Sequence, residues 1–173
     1  MSVTGTARIA VLDATKELHL GLRRRYGLAP SNGRNGTQSD DVAYVGREFR
    51  VYTFMRIGEA ARFYGALHSR WDGAALAKDF AALGIDPNFE VKRLKSTYQR
   101  ALVLALALAR RPKSLVVECA EEFDEPKTRA LLENALGRTS LSIATFEDAS
   151  TLEADWFDRT VAAGAFDAAG FAP

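Results

Sequence analysis

"SLVVECAEEFDEPKTRALLENALGRTSLSIAT", Ser114 to Thr145, decides the fold. It opens on Leu115, Val116 and Val117 and closes on "SLSIAT" (Ser140 to Thr145), two short apolar runs of the kind that form buried strands. Between them "PKTRALLENALG" (Pro126 to Gly137) reads as a helix. Proline sits near its start, where a missing N–H costs nothing, and glycine stops it. Strand, helix, strand at this spacing is a βαβ unit, and such units build parallel sheets. The expected class is α/β, a mainly parallel sheet with flanking helices.

Just upstream, "STYQRALVLALALARR" (Ser96 to Arg111) begins with a Ser/Thr cap and ends in two arginines before Pro112, both favourable to a helix. From Ala101 to Ala109 it is apolar all the way round, which places it in the middle of a core. "IGEAARFYGAL" (Ile57 to Leu67) and "DGAALAKDFAALG" (Asp72 to Gly84) are amphipathic helices, so a helical insertion is expected over about 57–93. "ARIAVLDA" (Ala7 to Ala14), "HLGLRRRYGLA" (His19 to Ala29) and "VAYV" (Val42 to Val45) read as strands. "PSNGRNGTQSDD" (Pro30 to Asp41) carries the strongest loop signal and is expected to be mobile. "DASTLEADWF" (Asp148 to Phe157) reads as a last helix and "RTVAAGAF" (Arg159 to Phe166) as a final strand. One domain over residues 1–173, without internal repeats, is the expected organisation.

Bulk properties narrow the function classes. Of 173 residues, 47% are hydrophobic and 26% charged, as in ordinary globular domains. A net charge of +1 offers no field that would draw the chain to nucleic acid or an anionic membrane. One cysteine allows no internal disulfide and suits a reducing compartment. The N-terminus has no basic start followed by an apolar run, so no signal peptide is expected. Ala101 to Ala109 is about half of a membrane span, so no direct membrane insertion is expected. The expected location is the cytoplasm, peripheral to a membrane only through a partner.

"LKSTYQRALVLALALARRPKSLVVECAEEFDEP" (Leu94 to Pro126) resembles the signature-to-Walker-B segment of ABC-transporter nucleotide-binding subunits. There L-S-G-G-x-x-Q-R leads into a long apolar helix, A-R-R-P, and an apolar strand closing in D-E-P-T-S-G-L-D-P, and the spacing matches without a gap. Val42 to Asp72 resembles the family's Q-loop and the start of its helical subdomain, and Gly137 to Thr145 the strand leading to the switch histidine. The similarity covers roughly Val42 to Val161. It implies a P-loop-NTPase-like fold, a helical subdomain, and a partner that is an intact ATPase subunit or a membrane permease.

The functional letters of that pattern are lost. Lys95, Ser96 and Thr97 replace the signature serine and glycines, whose bare backbone approaches a γ-phosphate. Glu118 stands at the Mg²⁺-associated aspartate and Cys119 at the catalytic glutamate; a thiol of pKa about 8.5 replaces a carboxylate poorly there. The switch histidine falls on Thr145 and the Q-loop glutamine on Arg47. In one alignment Asn32, Gly33, Gly36 and Thr37 are a vestigial phosphate loop, with Gly36 where the lysine belongs. In the other, the first strand follows a phosphate loop that the chain never had. Neither supplies a working loop.

Blander readings stand beside the sharper ones. Cys119 reads as a small apolar residue ending a buried strand rather than a nucleophile. Glu118, Glu121, Glu122, Asp124 and Glu125 read as solvated acids on a turn rather than a metal site, so no metal is expected. Arg23 to Arg25 reads as a solvated charge run, and Gly33 to Gly36 as only a turn. Trp71 is either a helix anchor or part of a partner surface, and Phe49, Tyr52, Phe54 and Met55 form a candidate contact patch. The resemblance implies a catalytically inactive ATP-binding-domain-like subunit that binds or regulates, with no cofactor beyond weak ATP/Mg and no ATP-driven homodimer. The alternative is a weak ATPase subunit completed by a partner.

Overall fold

The structure, a computed structural model, describes residues 6–25, 41–47 and 51–168. The strands β1 (Ala7–Leu12), β2 (Val42–Val45), β3 (Ser114–Val117), β4 (Leu141–Thr145) and β5 (Arg159–Ala162) form one sheet in the order β2-β3-β4-β1-β5. Every pairing is parallel, as the βαβ reading predicts. Val45 pairs with Val117, Val117 with Ala144, and Thr145 with Val11. The carboxyl ends of these four neighbouring strands therefore come level along one rim.

The strands are covered on both faces, which is why they read as continuous apolar runs rather than alternating ones. Ala10, Ala43, Val45, Leu115, Val117 and Ala144 belong to the larger core, with α4 (Ser96–Ala109). Ile9, Val11, Tyr44, Val116 and Ile143 face the other way, against Leu18 and Leu22 of α1 (Lys16–Arg25) and Phe166 of α6 (Ala163–Ala168). Helix α4 packs on β2, α3 (Gly73–Leu83) and α5 (Pro126–Leu136), so it has no solvent face to make polar. Leu102, Leu104, Leu106 and Leu108 point to different sides and are all buried. Leu104→Ala is expected to cost about 2–5 kcal/mol in urea denaturation, the range for a leucine cavity in a packed core. A cost below about 1 kcal/mol would place α4 at the surface.

The helical insertion is formed by α2 (Ile57–Leu67) and α3. Asp72 caps α3 by accepting the Ala75 N–H at 2.9 Å, and Gly84 ends it at φ 70°, a conformation that favours glycine. Trp71 lies so close to Gly65 that a Cβ there would come within 2.9 Å of its ring, so the indole anchors the α2–α3 joint.

Three sequence expectations are corrected. His19 to Arg25 is helical, part of α1, because Thr15 Oγ1 caps its start, Leu18 and Leu22 share one face, and three arginines suit its carboxyl end. Asp148 to Phe157 is not a helix but two short 3₁₀ turns, Ala149–Thr151 and Ala154–Trp156; Asp148 folds back to accept the Ser150 N–H at 2.8 Å. The final strand is shorter than expected, ending at Ala162 before α6. Among the described residues no helix is long and apolar enough to cross a membrane. The proposed mobile loop, Pro30 to Asp41, lies outside the described residues except for Asp41.

Candidate functional site

The rim where β1, β4, β3 and β2 end carries the residues singled out from the sequence. Glu118 follows β3, its N–H extending the ladder to Val45 O at 3.0 Å. Its side chain is fully buried rather than solvated. The Arg23 guanidinium grips it with two bonds, Nε to Oε1 at 3.0 Å and Nη2 to Oε2 at 2.8 Å. Tyr44 donates its hydroxyl to Oε1, and the Arg47 N–H donates to Oε2 at 2.7 Å. Four donors thus occupy the roughly four acceptor sites that a carboxylate has. Burial works against the charge, but Arg23, Tyr44 and the Arg47 N–H together hold the Glu118 pKa below the ordinary range. Burial, then the bond to Glu118, pushes the Tyr44 phenol up.

Arg23 is therefore no member of a solvated charge run. Helix α1 crosses the strand ends so that His19, one turn before it, meets β4 and Arg23 meets β3. Arg24 and Arg25 stay exposed.

Cys119 is buried and takes a left-handed conformation, φ 48°, uncommon for a residue with a side chain. Its N–H donates to Thr145 Oγ1 at 3.1 Å, and its Sγ lies 3.6 Å from Glu147 Oε1. Burial first, then the carboxylates of Glu147 and Glu121, push its thiol up to about 12. At neutral pH it is an uncharged thiol, neither base nor nucleophile. Thr145, at the expected switch-histidine position, also meets His19 Nε2 at 2.9 Å. A histidine thus reaches this end of β4 after all, from α1 rather than from β4. Nothing local in the sequence marks it, since the contact spans 126 positions.

Arg47 brings the neighbouring acids together. Its Nε lies 2.9 Å from Glu122 Oε1, and its Nη1 donates to both Glu147 oxygens at 3.1 Å. Arg100, buried at the start of α4, donates to the Glu118 carbonyl and stacks over the Phe123 ring at 5.3 Å. At the expected signature positions, Thr97 is buried and donates to Glu122 O at 3.0 Å, while Lys95 pairs with Glu125 at 2.8 Å. These side chains tie α4 to the turn after β3.

Asn32, Gly33, Gly36 and Thr37 lie outside the described residues. The first strand–helix joint is described and is short: Asp13, Ala14 and Thr15 connect β1 to α1. It contains no glycine. Ala14 is buried, its N–H donating to Phe146 O at 3.0 Å, and Thr15 caps the helix. A phosphate loop of the strand–GxxxxGK[ST]–helix kind needs several consecutive backbone N–H groups around an open cradle, which a joint this tight does not provide.

No protein-family model and no curated protein sequence matches the chain. Solved structures do match. The chain resembles the ATP-binding subunit of an ABC transporter at 13% identity and TM-score 0.69, over 90% of this chain and 74% of that one. It resembles CbiO1 of Clostridium perfringens, part of the ABC transporter complex cbiONQ, at 12% identity and TM-score 0.58, over 90% of this chain and 72% of that one. Identities this low establish the fold alone: the chain has the fold of ABC-transporter ATP-binding subunits.

Proposed function

We propose that the protein is a non-hydrolysing ABC-ATPase-like subunit that acts by binding, in complex with an intact ATPase subunit or a membrane permease in the cytoplasm. The observation that carries this reading is Glu118. At the position where the fold's relatives are expected to hold Mg²⁺, its carboxylate is sealed by four internal donors. The neutral Cys119 thiol beside it and the glycine-free β1–α1 joint support the same reading. ATP and Mg²⁺ are weak ligands at most, and nucleotide is not the glue of a homodimer.

Association must then rest on protein surface. Tyr52, Phe54 and Phe63 are exposed, and the Tyr52 ring contacts both others, Phe54 at 5.6 Å and Phe63 at 6.3 Å. Of the sequence patch, Met55 packs against the core and Phe49 lies outside the described residues. A stable interface buries on the order of 1,200–2,000 Å² and centres on aromatic anchors of this kind. Sedimentation velocity with and without Mg-ATP tests the proposal. The sedimentation coefficient is expected to be the same in both, and any complex with a neighbouring-gene permease or ATPase to survive without nucleotide and weaken in Phe54→Ala. An Mg-ATP-dependent dimer would contradict it.

A further inference from the structure

We propose that His19, Cys119 and Glu147 form a binding site for one divalent transition-metal ion of the zinc or cobalt kind. The three come from α1, the turn after β3 and the turn after β4, and one ligand atom of each lies within 4.8 Å of the others. A tetrahedral ion with its sulfur at about 2.3 Å and its oxygen at about 2.0 Å sets those ligands roughly 3.5 Å apart. Cys119 Sγ and Glu147 Oε1 are already 3.6 Å apart. The 4.8 Å bound leaves roughly 1 Å to be taken up as the side chains close on an ion. The Cys119 thiol gives up its proton to solvent as the ion binds, because metal ligation deprotonates a thiol. Thiolate, imidazole and carboxylate then form a mixed donor set that suits zinc or cobalt, whereas magnesium takes oxygen ligands almost exclusively. Three protein ligands also leave a fourth position open to water or a small ligand.

The surroundings support the donors as an outer shell does in metal sites. Arg47 fixes the Glu147 carboxylate through both oxygens. The Thr145 hydroxyl contacts both the His19 ring and the Cys119 N–H. Glu121 accepts the Glu147 N–H at 3.0 Å through Oε1, and its Oε2 is buried without a hydrogen-bond partner among the described residues, which adds negative charge at the edge of the trio. The strained φ of Cys119 is a conformation that persists where the surroundings enforce it, and such strain gathers at functional sites. The acid run read from the sequence as metal-free is a different set: only Cys119 of the trio lies in that stretch. None of the three ligands is a donor to the Glu118 carboxylate, although Arg47 touches both clusters, through its backbone N–H to Glu118 and its side chain to Glu147. Cobalt binding and ATP turnover are therefore read out separately.

Cobalt titration of the untagged full chain, followed by absorption, tests the site. Cys119 is the sole cysteine, so a thiolate-to-cobalt charge-transfer band reports it alone. The expected result is such a band saturating at about one equivalent, tetrahedral d–d absorption, and displacement of the cobalt by zinc but not by magnesium. Cys119→Ser should abolish the band. Glu147→Gln, at an exposed position that does not burden folding, should weaken binding at least about tenfold. No band at excess cobalt, or Glu147→Gln binding as tightly as the unaltered chain, would overturn the proposal.

Discussion

Arg23→Ala is expected to lower stability by about 3–5 kcal/mol at neutral pH, because it leaves the fully buried Glu118 carboxylate without its two-pronged partner. The pH dependence separates this from lost packing. With Arg23 present, the folded pKa of Glu118 is held below its ordinary value, so its contribution is present above the unfolded pKa of about 4.3 and is lost as pH falls. Without Arg23, the largest of the contributions that oppose burial is gone and the folded pKa rises. Protonation then relieves the variant, so the cost of the substitution should shrink between pH 7 and pH 4.5. Glu118→Gln should cost less at pH 7, since Arg23 is partly exposed and can turn to solvent. Urea denaturation at both pH values checks this. A cost near zero that does not change with pH would mean the pair is solvated.

No Mg-ATP hydrolysis above background is expected, and Cys119→Glu alone should not create any. A metal at Glu118 would have to displace Arg23 or Tyr44 from a carboxylate with no acceptor site left. A thiol whose pKa lies at about 12 takes no proton from water at neutral pH. A general base contributes typically 10²–10⁴-fold, and a transition-state donor about 10²–10³-fold. Restoring the base in Cys119→Glu leaves the metal position closed and adds a larger side chain to a buried site. The two losses together amount to several orders of magnitude, and one substitution recovers only part of them.

The parallel sheet was legible because its punctuation is local. Pro126 and Gly137 bracket a helix between two apolar runs, and the unbroken apolar surface of α4 could be satisfied only inside the core. Helix α1 was misread because Leu18, Leu22 and the short reach of Thr15 are a faint helical signal beside a β-favouring run. The rim was harder still. Arg23 reaches Glu118 across 95 positions and His19 reaches Thr145 across 126, so no window of sequence contains either pair. One sign was available: a glutamate directly after three apolar strand residues has little route to solvent, and it called for a cation elsewhere in the chain. "RRR" is one such supply, though its helical phase, which turns Arg23 inward and leaves Arg24 and Arg25 exposed, had to be known first.

The central claim, that the rim carboxylate serves the fold rather than a metal–nucleotide complex, is tested most directly by Mg²⁺-dependent phosphate release from ATP, comparing the purified chain with Glu118→Ala and with buffer. The account predicts the same rate in all three. Magnesium-dependent turnover by the unaltered chain that disappears in Glu118→Ala would contradict it.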